Sequence, residues 1–154
     1  MQIAPARFPA DAATVRALFD AYLEELGLDL GFQGVAAELA GLPGKYAPPK
    51  GAVLLARDEA GGALGVVAMW QMDPGVAEMK RLYIAPPGRG QGLGHALVAA
   101  VIAAARQAGH VRMRLDTLAT MAPAQAVYRA AGFHRIGNYN ANPLPGARHF
   151  ELTL

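Results

Sequence analysis

The sequence predicts an α/β fold, and three observations carry that prediction. Helix-spaced and strand-spaced apolar runs follow one another in the order α-α-β-β-β-α-β-α-β-β, with a further strand near Met1–Arg7. The chain is 53% hydrophobic and 17% charged, too apolar for intrinsic disorder. Its 154 residues are enough to bury a core and set a single domain over 1–154 as the expectation.

Asp11 is placed to cap a helix running to about Leu26. Val15, Leu18, Phe19, Tyr22, Leu23 and Leu26 recur at helical spacing, so one face is buried, and Gly27 ends the helix. Phe32-Gln33, bracketed by Gly31 and Gly34, reads as a turn. Val35–Ala40 reads as a short helix closed by Gly41 and Pro43. Residues 43–51 form a Pro/Gly loop. Ala52–Ala56, Leu64–Gln71 and Val76–Ile84 then make an antiparallel meander, separated by Asp58–Gly62 and Asp73-Pro74-Gly75 turn chemistry. Alternation along the third strand sets Met79 and Arg81 opposite Lys80 and Leu82. A helix from about Gly92 to Ala108, a strand Val111–Thr117, a helix Ala122–Ala131 stopped by Gly132, and strands at Phe133–Gly137 and Ala147–Leu154 complete the chain.

With no cysteine, disulfides, Cys-ligated zinc, iron–sulfur clusters and a cysteine nucleophile are excluded. His95, His110, His134 and His149 are scattered without metal-ligand spacing, so no metal is expected. The N-terminus lacks a basic flank followed by an apolar run, and Ala96–Ala105 is too short to span a bilayer; a cytoplasmic protein is expected. The net charge of +2 hides an asymmetry. Residues 1–44 hold two arginines against six acids, net −4. Residues 80–135 hold eight basic residues against Asp116 alone, net +7. The basic centre suits an anionic ligand, and the acidic front suits a cationic one.

Leu82–Gly94 is the most informative segment. A strand feeds a loop with Gly88, Gly90, Gly92 and Gly94, which opens directly into a helix. Amides without Cβ obstruction at a positive helix end make an anion cradle, and Arg89 adds a charge-assisted contact. His95 stands where a dinucleotide fingerprint needs Gly, and no Gly-Lys-Ser/Thr is present, so neither nucleotide motif applies.

Arg89-x-x-Gly92-x-Gly94, after a strand and at a helix start, resembles the acetyl-CoA signature of the GNAT N-acetyltransferase superfamily, (Arg/Gln)-x-x-Gly-x-(Gly/Ala). Ala124–Phe133 resembles the helix of that family ending in (Leu/Val)-Tyr-x-x-x-Gly-Phe. The element order matches over essentially the whole chain. One departure is Met121, where many members carry Asn seven residues before the Tyr.

The resemblance implies a mixed, mostly antiparallel twisted sheet flanked by about four helices. It implies acetyl-CoA as acyl donor, with the pantetheine arm along Glu78–Ile84. Leu82, Tyr83 and Ile84 would contact the arm, and the pyrophosphate would rest on Arg89, Gly90, Gln91, Gly92, Leu93 and Gly94. Tyr128 matches the residue that protonates the leaving thiolate; a core tyrosine is the alternative. Glu78 is the candidate base, with a Lys80-paired carboxylate as the alternative and Asp116 as a second candidate. The acceptor, an amine-bearing small molecule or peptide, is expected among Phe32, Gln33 and Tyr46 on one side and Tyr139, Asn140 and Asn142 on the other. Asp29, Glu24 and Glu25 would attract its charge. The segment 138–143 reads equally as a binding lid or a solvated turn. Members of the family often dimerise, so the resemblance admits a homodimer. Two other classes stay open: a noncatalytic acyl-CoA-binding module on the same fold, and a nucleic-acid-binding domain. Against the second, the basic residues show no aromatic interleaving, and no nucleic-acid partner is expected.

Overall fold

The computed structural model describes residues 1–27 and 34–154. Its strands are β1 (Gln2–Pro5), β2 (Ala52–Arg57), β3 (Ala63–Asp73), β4 (Val76–Ile84), β5 (Arg112–Leu118), β6 (His134–Ile136) and β7 (Ala147–Thr153). Its helices are α1 (Ala12–Leu26), α2 (Val35–Ala40), α3 (Leu93–Gln107) and α4 (Ala122–Ala130). The strands form one sheet in the order β1-β2-β3-β4-β5-β7-β6. Every pairing is antiparallel except β4 with β5. The fold is therefore the mixed, mostly antiparallel sheet with helical flanks that the resemblance implies.

Each face of the sheet has its own core. On one face, α3 and α4 cover Val67, Met69, Met79, Leu115 and Phe150. The stripe Leu93, Leu97, Val101, Ala105 on α3 is 0–1% exposed, which is why this long helix forms against the sheet. On the other face, Val15, Leu18 and Phe19 of α1 pack with Tyr46, Val53, Leu55, Val66 and Tyr83.

Two local departures shape the centre. Asp11 precedes α1 as expected but makes no side-chain cap. Its carboxylate instead accepts the Arg7 amide at 2.7 Å and the Arg57 guanidinium at 2.9 Å, tying the end of β2 to the turn before α1. In β4 the regular alternation breaks. Val66 pairs with Tyr83 and Ala68 with Lys80, so two steps on β3 face three on β4. Arg81 supplies the extra residue with φ 60°. Met79, Leu82 and Ile84 then share the α3 face, while Arg81 turns to Glu38 on the opposite side. This corrects the alternation expected for Arg81 and Leu82. A bulge is invisible to a period-2 reading because it changes the period at one residue.

β4 and β5 pair only from Val76–Arg112 to Glu78–Arg114. Beyond that point β4 keeps its β3 partner to Ile84, and β5 keeps β7 to Leu118. The two central strands therefore separate, leaving the inner edge of β4 along Met79–Ile84 without a strand partner among the described residues.

Candidate active site

The split between β4 and β5 opens into a groove of about 580 Å³. Leu82, Tyr83 and Ile84 form one wall, and Met121, Ala124 and Val127 form the other. At its outer end lies the turn into α3. Gly90 and Gly92 adopt φ of 77° and 75°, the left-handed region where a Cβ is strained. The α3 ladder begins with the Ala96 amide donating to Gly92 O at 3.1 Å, so the amides ahead of it have no helical acceptor. Gly88 is needed for a different reason: a Cβ there would stand 2.9 Å from Leu93 Cδ1 and 3.0 Å from Leu64 O. At Gly94 a Cβ would meet only Val127 Cγ2, at 3.7 Å.

Gln91 folds back to donate to Pro87 O at 3.0 Å, and the Leu93 side chain is in the core. Neither side chain reaches the groove wall, leaving the backbone to line it. Arg89 is anchored by its Nε on Ile84 O at 3.0 Å, and its Nη2 lies 2.7 Å from Glu25 Oε2. Tyr83 donates to the same Glu25 oxygen at 3.3 Å. Glu25 therefore sits at the glycine turn, not beside the acceptor residues as the charge pattern suggested; a net count over residues 1–44 says nothing of where each acid points.

At its inner end the groove meets a narrow recess of about 40 Å³ bordered by Tyr128, Asp116, Lys80 and Asn142. Tyr22, Leu26, Leu82 and Met121 border both spaces. The Tyr128 ring packs on Phe133 and Phe150 at centroid distances of 6.0 and 6.4 Å. Burial, reinforced by Tyr22 and Asp116, pushes its hydroxyl pKa well above the ordinary value, so it is held as a proton donor. Tyr128 thus packs in the core and also borders the recess.

Around Glu78 a polar network lies on the α1 side of the sheet. Glu78 is 3% exposed. Its Oε1 accepts Trp70 Nε1–H at 2.8 Å and lies 3.6 Å from Lys80 Nζ, and its Oε2 accepts the Tyr139 hydroxyl at 2.5 Å. Lys80 also reaches Asp116 Oδ1 at 3.4 Å. Asn140 and Asn142 both donate to Asp116 Oδ2 at 2.9 Å. Burial opposes ionisation of Asp116, yet Lys80 and the two amides outweigh it and hold the carboxyl below its usual range. His149 contacts Asn140 Oδ1 through Nε2 at 2.9 Å, and its ring meets Tyr139 edge-on at 5.0 Å. The 138–143 segment is thus tied to the sheet through Tyr139, Asn140 and Asn142, while Asn138, Asn140, Ala141 and Pro143 are exposed.

The expected acceptor residues separate into three groups. Tyr139, Asn140 and Asn142 come together around Glu78 and Asp116. Tyr46 is 1% exposed, packs edge-on to Phe19, and donates its hydroxyl to Glu38 at 2.8 Å. Glu38 in turn holds Arg81 at 3.0 Å. Phe32, Gln33 and Asp29 lie outside the described residues. Trp70 and Lys45 escaped the reading of the chain. Trp70 pairs with Glu78 across the β3–β4 hairpin only because the register shifts by one residue between Gln71 and Asp73; the turn alone would set Gln71 opposite Glu78. Lys45, with Nζ 4.2 Å from the Trp70 ring centre, belongs to a loop with no periodic signal.

The site is a split parallel strand pair, with the glycine turn into α3 at one end and the recess bordered by Tyr128 at the other. The acetyltransferase (GNAT) family model matches residues 16–133, and the chain belongs to that family. A Schizosaccharomyces pombe protein, an uncharacterized N-acetyltransferase, is 42% identical over 155 residues, covering 100% of this chain and 95% of its own. A Klebsiella pneumoniae structure, assigned as an acyl-CoA N-acyltransferase, is 31% identical with a TM-score of 0.75, covering 99% of this chain and 97% of that one. A Staphylococcus aureus GNAT acetyltransferase shares the fold at 16% identity, with a TM-score of 0.82 and coverage of 99% and 98%. No helix among the described residues is long and apolar enough to cross a membrane.

Proposed function

We propose that this chain, acting as one unit over 1–154, moves the acetyl group of acetyl-CoA to a primary amine on a small molecule or peptide by direct attack in a ternary complex. One observation carries the reading: the separation of β4 from β5 after Glu78 leaves a strand edge running from the glycine turn to the recess that Tyr128 borders. An extended arm with amide groups and an anionic end fits such a groove. Its amides complete the free edge of β4, its apolar atoms cover Leu82 and Ile84, and its phosphates meet the α3 amides. Tyr83, Arg89, Gly90, Gln91, Gly92, Leu93 and Gly94 complete the cradle, with Arg89 leaving Glu25 for the stronger anion.

The residues divide the chemistry. Tyr128 holds a proton in a water-poor recess and gives it to the departing sulfur. Main-chain N–H groups of β4 stabilise charge developing on the carbonyl oxygen. Glu78 is the sink for the proton the amine must lose. Asp116, ionised and fixed, holds positive charge near the recess. Tyr139 and Asn140 face the acceptor. The proposal takes the enzyme as cytoplasmic, with neither metal nor nucleic acid, and admits a homodimer.

Calorimetric titration with acetyl-CoA at moderate salt, followed by CoA release over a panel of amines, tests the proposal. Tight acetyl-CoA binding with amine-dependent release is the expected result. Failure to bind acetyl-CoA overturns it. Binding without transfer to any amine points to the noncatalytic module instead.

A further inference from the structure

Both carboxylate oxygens of Glu78 already hold donors, and the side chain is 3% exposed. Oε1 takes the indole N–H of Trp70 and stands beside Lys80; Oε2 takes the hydroxyl of Tyr139. Buried behind these donors, the carboxylate offers an incoming amine little direct access. The donors are not equivalent. An indole N–H only donates, and an ammonium has no lone pair with which to accept. A phenolic hydroxyl does both. Tyr139 is only half-buried, and its segment is tied through Asn142 and Asp116 to the recess, which Glu78 does not border.

The hydroxyl is held firmly. The Tyr139 ring lies edge-on to His149 at 5.0 Å, and the Arg114 guanidinium is 5.6 Å from its centre. Asn140 and Asn142 pin the same segment to Asp116. The hydroxyl therefore keeps a 2.5 Å contact with Glu78 on a short tether.

We infer that Tyr139 is a catalytic proton relay between the acceptor amine and Glu78. This rests on the reading of Glu78 as the base. The acceptor N–H bond breaks as an O–H bond forms on Tyr139; the original Tyr139 O–H bond breaks as one forms on Glu78 Oε2. The amine keeps its electron pair and becomes neutral, Tyr139 ends as it began, and Glu78 ends protonated. Burial beside a carboxylate disfavours a free tyrosinate, so the two transfers run together.

The test uses the full chain with acetyl-CoA and two probe acceptors, ethylamine and 2,2,2-trifluoroethylamine, read by CoA thiol release. The fluorinated ammonium is the stronger acid and largely sheds its proton unaided. Tyr139→Phe keeps the ring and removes only the hydroxyl. It is expected to lower kcat/KM for ethylamine by about 10²-fold and for trifluoroethylamine by less than about tenfold. Calorimetric acetyl-CoA affinity stays unchanged, which shows that the variant is folded. Glu78→Gln gives the same pattern, and the double variant is no slower than either single one. An equal loss for both amines reduces Tyr139 to a positioning residue and overturns the relay. So does a double variant whose loss is the product of the single losses. If Glu78→Gln is slow and Tyr139→Phe is not, the relay alone fails; if Glu78→Gln is as fast as the parent, the base assignment fails with it. Absence of release from either amine overturns both.

Discussion

The groove and the polar network meet at Tyr128 and Lys80, yet they are held together differently. Much of the groove is built from neighbours in sequence: three residues of β4, the turn that follows, and the start and one face of α4, with Tyr22, Glu25 and Leu26 of α1 closing it. Its lining is mostly apolar side chain and bare backbone, and its one strong polar contact, Glu25 to Arg89, is exposed to water. The network draws Trp70 from β3, Glu78 and Lys80 from β4, Asp116 from β5, His149 from β7, and Tyr139, Asn140 and Asn142 from the β6–β7 segment, and nearly every polar atom in it is paired. A surface made of backbone accepts one ligand shape whatever the side chains are. A surface made of coupled side chains is tuned to one partner, and no member of it can change alone.

Variants that separate the two regions follow from this difference. The largest effect is expected where they meet. Tyr128→Phe removes the proton donor but leaves the ring on Phe133 and Phe150. The rate kcat should fall by about 10²- to 10⁴-fold while acetyl-CoA affinity, measured by calorimetry, holds. Unchanged turnover would mean the hydroxyl does no chemistry and would separate the groove from catalysis.

Within the groove, two glycines should behave oppositely. Gly88→Ala drives a methyl into Leu93 and Leu64 O and is expected to cost about 1–3 kcal/mol of stability by denaturant titration. Gly94→Ala meets only an ordinary contact with Val127 and should stay within about 0.5 kcal/mol. Equal costs would show that the turn tolerates or rejects side chains as a whole.

Within the network, Asn142→Ala removes one of two amides on Asp116 Oδ2. A hydrogen bond to a charged group carries about 1.5–3 kcal/mol, so a loss near the lower end is expected at neutral pH. The sign with pH follows from the depressed pKa. The Asp116 carboxyl sits below its ordinary value of 3.8 when folded, so its ionised form stabilises the fold above that pH. The contribution disappears as pH falls through the folded value. Parent and variant should therefore converge in acid, by thermal unfolding across pH; a gap that persists in acid would assign the loss to packing instead.

The smallest effect is expected at the groove mouth. Glu25→Gln breaks an ion pair whose two side chains are 46% and 55% exposed. Such pairs are worth about 0–1 kcal/mol, so stability should hardly move. Arg89 is released, however, and acetyl-CoA should bind a few-fold tighter, most visibly at low salt. Weaker binding would place Glu25 on the ligand's side of the groove.

How legible these regions were in the chain follows the same division. The groove was readable because its parts are adjacent: Arg89, Gly92 and Gly94 lie within one turn, and Tyr128 lies one helix turn before Gly132 and Phe133. Glu78 was readable as an acid on a central strand, and Asn140 and Tyr139 as polar residues in an apolar chain. Their joining was not. Trp70 meets Glu78 only through hairpin register, and Asp116 meets Asn142 only through the β5–β7 pairing. Arg81 faces Glu38 only because of a one-residue bulge.

The chain's own residues determined the α/β order, the buried stripes of α1 and α3, and the glycine turn, because each depends on the spacing of near neighbours. Tertiary structure alone decided where β4 leaves β5, which acid stands beside Arg89, and which hydroxyl seals Glu78. Those depend on how distant segments pack and pair, and a short-range period carries no record of them.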